Sequence, residues 1–99
     1  MNILQVIYSL SQGGAERFVV NLSNELAEKG HQVTLCTFRD DEATPTMSFN
    51  RQFLNEKVRY VNLKISTGFS IKKIKRVEDF VKETEPDIIH CHLNVIPYF

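Results

Sequence analysis

The sequence contains no tryptophan, two cysteines, three prolines and four glycines among its 99 residues. Its apolar runs are far shorter than the roughly 18 to 20 residues of a transmembrane helix, and no basic segment opens the chain as it would in a signal peptide. We therefore expect neither a membrane span nor a secretory leader. Cys36 and Cys91 lie inside apolar runs, which favours buried thiols in a reducing, cytoplasmic compartment over a disulfide framework.

An excess of charge of one sign is also missing, because 12 basic side chains balance 12 acidic ones. Residues 1–50 carry three basic and six acidic side chains, and residues 51–99 carry nine and six. Nucleic-acid-binding domains are usually strongly basic or carry a recognisable motif. Neither feature is present, so we expect no nucleic-acid partner.

The first forty residues predict a strand, a helix and a second strand. Residues 2–8 are apolar and β-prone, and the polar, glycine-containing segment 9–14 (SLSQGG) ends this buried strand. An apolar stripe of helical spacing then predicts a helix that ends at Gly30, and residues 32–38 predict the next strand. A helix between two strands favours a right-handed parallel crossover. The stripe consists of Ala15, Phe18, Val19, Leu22 and Leu26.

The second half predicts another strand, helix and strand. Residues 58–63 and 87–91 have the β-rich composition of buried strands. Between them, Ser70 can cap a helix that ends before Pro86. Residues 39–56 are predicted to be mainly loop, with one short helix as the alternative. The apolar face of the predicted helix consists of Ile71, Ile74, Val77, Phe80 and Val81.

Together these elements predict an α/β fold, a Rossmann-like parallel sheet with flanking helices. In the common strand order 3-2-1-4, the fourth strand has an unpaired apolar edge, which favours self-association. We therefore interpret residues 1–99 as a partial domain of a larger protein.

The segment that follows the first strand is the first candidate binding site. It joins the carboxyl end of a strand to the start of a helix, where free N–H groups favour an anion or a hydroxyl-rich ligand. Gly13 and Gly14 allow such a ligand to approach the backbone, although a tight turn needs two flexible residues as well. A nicotinamide cofactor is the weaker alternative, because G-x-G-x-x-G is absent and Asp40 and Asp41 alone suit a ribose contact.

Two histidines at the end of the fourth strand are the second candidate. His90 and His92 flank Cys91 and so share one face of a strand, and His92 is nearer to the crevice where open α/β sheets bind ligands. We expect His90 to face the core. A His-x-His pair can bind zinc, but no third ligand is evident, so we predict no metal site.

Basic residues crowd the first turns of the second predicted helix. A solvated helix face explains them, and so does contact with anionic lipid or a charged partner. These residues are Lys72, Lys73, Lys75 and Arg76.

Three segments of the sequence match a known family in order and spacing. They are NILQVIYSLSQ, then GGAERFVVNLSNELAEKGHQVTLCTF, and later EPDIIHCH. Together they resemble the amino-terminal domain of glycosyltransferase family 4, the retaining enzymes of GT-B fold. Residues 39–69 carry no distinctive match.

The resemblance implies two Rossmann-like domains that face a cleft, in an enzyme that moves a sugar from a nucleotide-sugar to a glycan or lipid acceptor with its anomeric configuration kept. It implies no cofactor and no metal, with the acceptor held mainly by the amino-terminal domain. Gly13 and Gly14 resemble the glycine loop that approaches the donor phosphate or the acceptor. His92 resembles the histidine that lines the transfer site, and Glu16 a structural turn residue.

The sequence departs from the family in lacking the carboxy-terminal, donor-binding domain. We therefore expect the 99 residues alone to transfer no sugar and to bind nucleotide-sugars weakly. The resemblance also implies polysaccharide or glycolipid synthesis, in the cytoplasm or at the inner membrane face. The alternative is a non-catalytic α/β binding or scaffold module that kept the pattern without the activity.

Overall fold

The computed structural model describes residues 1–11, 13–38, 50–65 and 71–92. Within them, the predicted strands and helices are confirmed, with small shifts at their ends. The elements are β1 (Asn2–Ile7), α1 (Gly14–Glu28), β2 (Gln32–Thr37), β3 (Arg59–Asn62), α2 (Ile71–Thr84) and β4 (Ile88–Cys91). A single 3₁₀ turn at residues 50–53 lies where the short helix was the alternative. Ser70, Asp40 and Asp41 lie outside the described residues.

The four strands form one parallel sheet in the order β3-β2-β1-β4, which confirms the predicted α/β architecture. The chain leaves β1 toward β2 and β3, and returns to the other side of β1 as β4. The direction of winding therefore changes between β1 and β4. In sheets of this kind, ligands bind in the crevice beyond the carboxyl ends of the strands at such a switch point.

The core lies on both faces of the sheet, since successive side chains of a strand point to opposite faces. On the α2 face, Leu4 and Val6 of β1 pack in one cluster with Val77 and Phe80. On the α1 face, Ile7 packs in a second cluster with other buried residues. Among the latter are Val19, Val20, Leu35 and Val58.

The buried face of α1 differs from the predicted stripe. The helix buries Val20 and Ser23, whereas Phe18 is 60% exposed. The physical reason is that Leu54 and Val58 pack against the same cluster as Val20, so the helix turns toward the residues that precede β3. The apolar spacing within α1 cannot show which face of the helix residues from a distant part of the chain will cover.

Gly30 ends α1 as predicted, and its conformation explains why. Its φ of +94° lies in the left-handed region, which glycine adopts without the steric penalty of a Cβ. The N–H of Gly30 donates to the carbonyl of Ala27, and that of His31 to the carbonyl of Leu26. The chain is thereby reversed into β2.

The outer edge of β4 is apolar. Ile88 is 45% exposed and Ile89 39%, and β4 pairs with β1 alone among the described residues. Self-association through this edge stays a prediction. In the parts of the chain that the structure covers, neither helix combines the length and hydropathy that crossing a membrane requires.

Candidate functional site

The glycine-containing loop and the end of β4, which the sequence singled out, lie on the same side of the sheet, beyond the carboxyl ends of its strands. The glycine-containing loop follows β1, and His92 follows β4 directly. Because β1 and β4 are parallel neighbours, both segments lie beyond the carboxyl ends of the strands that flank the switch point. This is the position at which an open α/β sheet places a ligand.

Gly13 is the residue that precedes the first turn of α1. Its backbone is extended, and its carbonyl accepts the N–H of Arg17 at 3.1 Å. The side chain of Glu16 folds back over it, so that Oε2 accepts the hydroxyl of Ser11 at 3.1 Å and would overlap a Cβ placed on Gly13. A side chain on Gly13 would therefore displace the carboxylate of Glu16 from this position, and the structural role of Glu16 stays a prediction.

Gly14 has different surroundings from Gly13. It is exposed, and apart from its chain neighbours and the backbone of α1, no described atom lies within 4 Å of the place where its Cβ would be. The first N–H groups of a helix have no acceptor inside the helix, so the exposed backbone at Gly14 can donate to a ligand. Both glycines remain predicted binding residues, and of the two, Gly14 has the more open approach.

Asn50 supports the glycine loop through hydrogen bonds to its carbonyls. This role was not predicted from the sequence. Asn50 is 3% exposed, and its Nδ2 donates to the carbonyls of Ser11 at 2.7 Å and Gly13 at 3.5 Å. Its backbone N–H donates to the carbonyl of Leu10 at 2.9 Å. These bonds engage the carbonyls of the loop. A lone asparagine in a polar segment carries no sequence signal for such a role.

His92 is half-buried and held at two points. Its backbone N–H donates to the carbonyl of Val6 at 2.8 Å, and its Nε2 lies 2.7 Å from Oε1 of Gln5. Burial, with a smaller contribution from His90, lowers the pKa of His92 to about 4. The imidazole is therefore neutral at pH 7, and it can donate one hydrogen bond and accept another.

Gln5 is the second residue that the sequence reasoning missed. It is fully buried in the middle of β1, where apolar neighbours are the rule in a parallel sheet. Its Oε1 faces the ring of His92, while its Nε2 has no partner among the described residues. One polar residue inside the apolar run 3–7 was the available signal.

His90 corrects one expectation, because it is exposed rather than facing the core. The reason is that β4 is the edge strand of the described sheet, with a neighbouring described strand on one side alone. The rings of His90 and His92 lie 3.9 Å apart between centroids. In the described ranges, no cluster of three or more His, Cys, Asp or Glu side chains could hold a metal ion.

Comparison with known families decides the relationship. A family model described as glycosyltransferase family 4 matches residues 12–99. The chain belongs to glycosyltransferase family 4. No significant match to a curated protein or to a solved structure accompanies this one. The matched residues include Gly13, Gly14, Asn50 and His92, whereas Gln5 and Ser11 precede the matched range.

Proposed function

We propose that this domain is the acceptor-side half of a retaining glycosyltransferase, which moves a sugar from a nucleotide-sugar to a glycan or lipid acceptor. The observation that carries the proposal is the position of the glycine loop and His92 on either side of the β1/β4 switch point. One segment offers free backbone donors, and the other offers a neutral imidazole. Sugar hydroxyls bind to that combination, because each hydroxyl can both donate and accept a hydrogen bond.

The glycine loop suits a neutral acceptor better than a phosphate. The positive end of the α1 dipole by itself favours an anion. The carboxylate of Glu16, however, lies over Gly13 at this helix end and offsets that positive potential. We therefore assign the backbone at Gly14 to an acceptor hydroxyl, and the nucleoside diphosphate to the donor-binding half of the enzyme.

His92 has one ring nitrogen engaged with Gln5 at 2.7 Å, which leaves Nδ1 as the atom that can contact a sugar. A neutral Nδ1 that accepts a hydrogen bond orients a sugar hydroxyl without adding charge to the cleft. The new bond forms between the acceptor oxygen and the anomeric carbon, the bond to the departing nucleoside diphosphate breaks, and that diphosphate takes up the proton of the acceptor hydroxyl. His92 contributes by holding the sugar in the geometry of this exchange.

We propose that transfer requires a second, donor-binding domain, as the resemblance to the family implies. We expect the 99-residue chain alone to release no nucleoside diphosphate from UDP- or GDP-sugars. Robust turnover by the purified chain would contradict this division of labour.

The deciding experiment compares two histidine variants of the enzyme that joins this domain to its donor half. Transfer from a panel of UDP- and GDP-sugars is measured as nucleoside diphosphate release. His92→Ala is expected to lower the rate about a hundredfold. The matched control is His31→Ala. His31 lies directly before β2, at the amino ends of the strands and thus on the side away from the crevice. The rate of this control should equal that of the wild type.

An unchanged rate for His92→Ala would assign the histidine a structural role. No release by the wild type with any donor would favour the non-catalytic binding module instead. Retention is read from the product, since the anomeric proton of the transferred sugar shows by its NMR coupling whether the configuration of the donor was kept.

We also propose that the domain works in the cytoplasm, peripheral to the inner face of the membrane. The support is the exposed basic start of α2, where Lys72, Lys75 and Arg76 are all exposed. Lys75 forms an ion pair with Asp79 at 3.2 Å, so it is partly compensated within the helix. Anionic vesicles should sediment less of a variant with Lys72, Lys73, Lys75 and Arg76 neutralised. If the variant and the wild type bind the vesicles equally, α2 does not contact the membrane.

A further inference from the structure

Gln5 is a polar side chain at a position in the apolar core of the sheet. It is fully buried, and its Nε2 has no partner among the described residues. Its neighbours along β1, Leu4 and Val6, are buried apolar residues. A buried donor without an acceptor costs about 1 to 3 kcal/mol, so leucine at this position would give the more stable core. Among the described residues, the one side-chain hydrogen bond of Gln5 is the contact with His92.

From this contact we infer that Gln5 is a positioning residue, which fixes the tautomer and the orientation of the His92 ring. The inference rests on the proposed role of His92 in the transfer site. A carbonyl oxygen can only accept, so Oε1 at 2.7 Å from Nε2 requires the proton of the neutral ring to be on Nε2. The lone pair is then on Nδ1.

The backbone explains why Gln5 can reach the ring. Cys91 is paired with Val6 in the register of β4 and β1, so His92 stands opposite Ile7. Ile7 and Gln5 are two residues apart on β1 and therefore share one face of the sheet. The ring of His92 leans back along this face from Ile7 to Gln5, where the amide oxygen holds it. His90, which is paired with Gln5, supports the ring at a centroid distance of 3.9 Å.

The consequence concerns what the crevice can recognise. When Nε2 carries the proton and donates a hydrogen bond to Oε1 of Gln5, Nδ1 is a hydrogen-bond acceptor whose direction is fixed. A sugar hydroxyl then has to donate to His92. The opposite tautomer would require the hydroxyl to accept, so loss of Gln5 should mix two arrangements of which only one fits the substrate.

The first test reads the tautomer directly in the 99-residue chain by ¹⁵N NMR of the histidine rings near pH 7. We expect a protonated, pyrrole-type Nε2 and an unprotonated Nδ1 for His92. In Gln5→Leu the two signals should move toward the averaged positions of a tautomer mixture. Gln5→Glu keeps an acceptor oxygen at the same place, so Nε2 should stay protonated, while the negative charge of the new carboxylate should raise the pKa of the ring. A wild-type ring protonated on Nδ1 would overturn the inference.

The second test measures transfer in the complete enzyme. Gln5→Leu is expected to lower the rate about ten- to a hundredfold, the size seen when partners that orient a functional histidine are removed. Urea unfolding separates this from a folding defect, because Gln5→Leu removes the unpartnered Nε2 and should leave stability equal or higher. A full rate in Gln5→Leu would overturn the inference.

The two proposals fail in different ways. If His92→Ala lowers transfer but Gln5→Leu changes neither the tautomer nor the rate, the proposed function stands and the positioning role is wrong. If His92→Ala transfers at the wild-type rate, the role of His92 is wrong, and the positioning role falls with it.

Discussion

The carboxylate of Glu16 occupies the space that a side chain on Gly13 would need, since a Cβ built on Gly13 would overlap Oε2 of Glu16. The φ of Gly13 is −173°, an extended value that any residue can adopt. The need for glycine here is therefore one of space and not of backbone conformation. At Gly14 that space is empty.

The two adjacent glycines should respond in opposite ways to alanine. Gly13→Ala pushes the Glu16 side chain off the start of α1 and should lower the free energy of unfolding by about 0.5 to 1 kcal/mol. Gly14→Ala should raise it by up to about 1 kcal/mol, because alanine is the better helix former. Urea unfolding of the chain measures both changes.

Removing Glu16 provides the control for this pair. In a Glu16→Ala background, the step from Gly13 to alanine should cost almost nothing, because the obstacle is gone. If Gly13→Ala costs the same in both backgrounds, some other contact makes glycine necessary.

A second prediction concerns Asn50. Asn50→Ala leaves the carbonyl of Ser11 without the donor that now lies 2.7 Å away, in a part of the loop that is not fully open to water. The free energy of unfolding should fall by about 1 to 3 kcal/mol. Hydrogen exchange of the amides around Gly13 should become faster, since the loop loses its support.

Asn21→Ala is the matched control, because Asn21 is exposed on α1 and its described contact is a 3.3 Å bond from Arg17. Its stability should change by less than about 0.5 kcal/mol. Equal effects of the two variants would show that Asn50 is not the support of the loop.

Much of this fold could be predicted from local patterns in the sequence. Short apolar runs marked the four strands, and the helix between the first two required a parallel crossover. Gly30 marked the end of α1 through a conformation that only glycine adopts easily. Each of these signals is contained in a few consecutive residues, which is why each survives without knowledge of the rest of the chain.

The errors have a common physical cause, which is contact between distant parts of the chain. Phe18 was expected in the core, but residues before β3 cover a different face of α1. His90 was expected to be buried, yet β4 lies at an edge. Asn50 and Gln5 act on segments 37 and 87 residues away, at Gly13 and His92, so neither role follows from local spacing.

A third prediction follows from the position of the cysteines. Cys36 and Cys91 are both paired with Val6, one from each side, which places them two strand spacings, or about 10 Å, apart. A disulfide needs Cα atoms within about 7 Å, so the folded chain should form no internal disulfide under mild oxidation. Mass spectrometry after non-reducing digestion checks this, and a Cys36–Cys91 peptide would contradict the register.

The same two thiols should differ in reactivity. Burial raises the pKa of Cys36 to about 12 and also raises the pKa of the less buried Cys91. Because the thiolate is the reacting form, a thiol reagent at pH 8 should modify Cys91 slowly and Cys36 only when the chain unfolds. In urea both should react at one fast rate, which serves as the control.

A fourth prediction is the pH dependence of stability that His92 introduces. Its pKa is about 4 in the folded chain against an ordinary value of 6.5. Above pH 6.5 the ring is neutral in both states, so its contribution to stability is fully present there. Between pH 6.5 and 4 the unfolded chain takes up the proton first, and stability is lost as the pH falls through this window.

The size of that loss is limited because the ring is only half-buried, and solvent screening reduces it to the order of 1 kcal/mol. Urea unfolding at pH 7.5 and pH 4.5 should show a larger loss for the wild type than for His92→Gln, which has no proton to take up. A direct NMR titration of the His92 ring provides the second measurement. A ring that titrates near 6.5 would show that burial does not lower the pKa of His92, and this pH dependence of stability would then be absent.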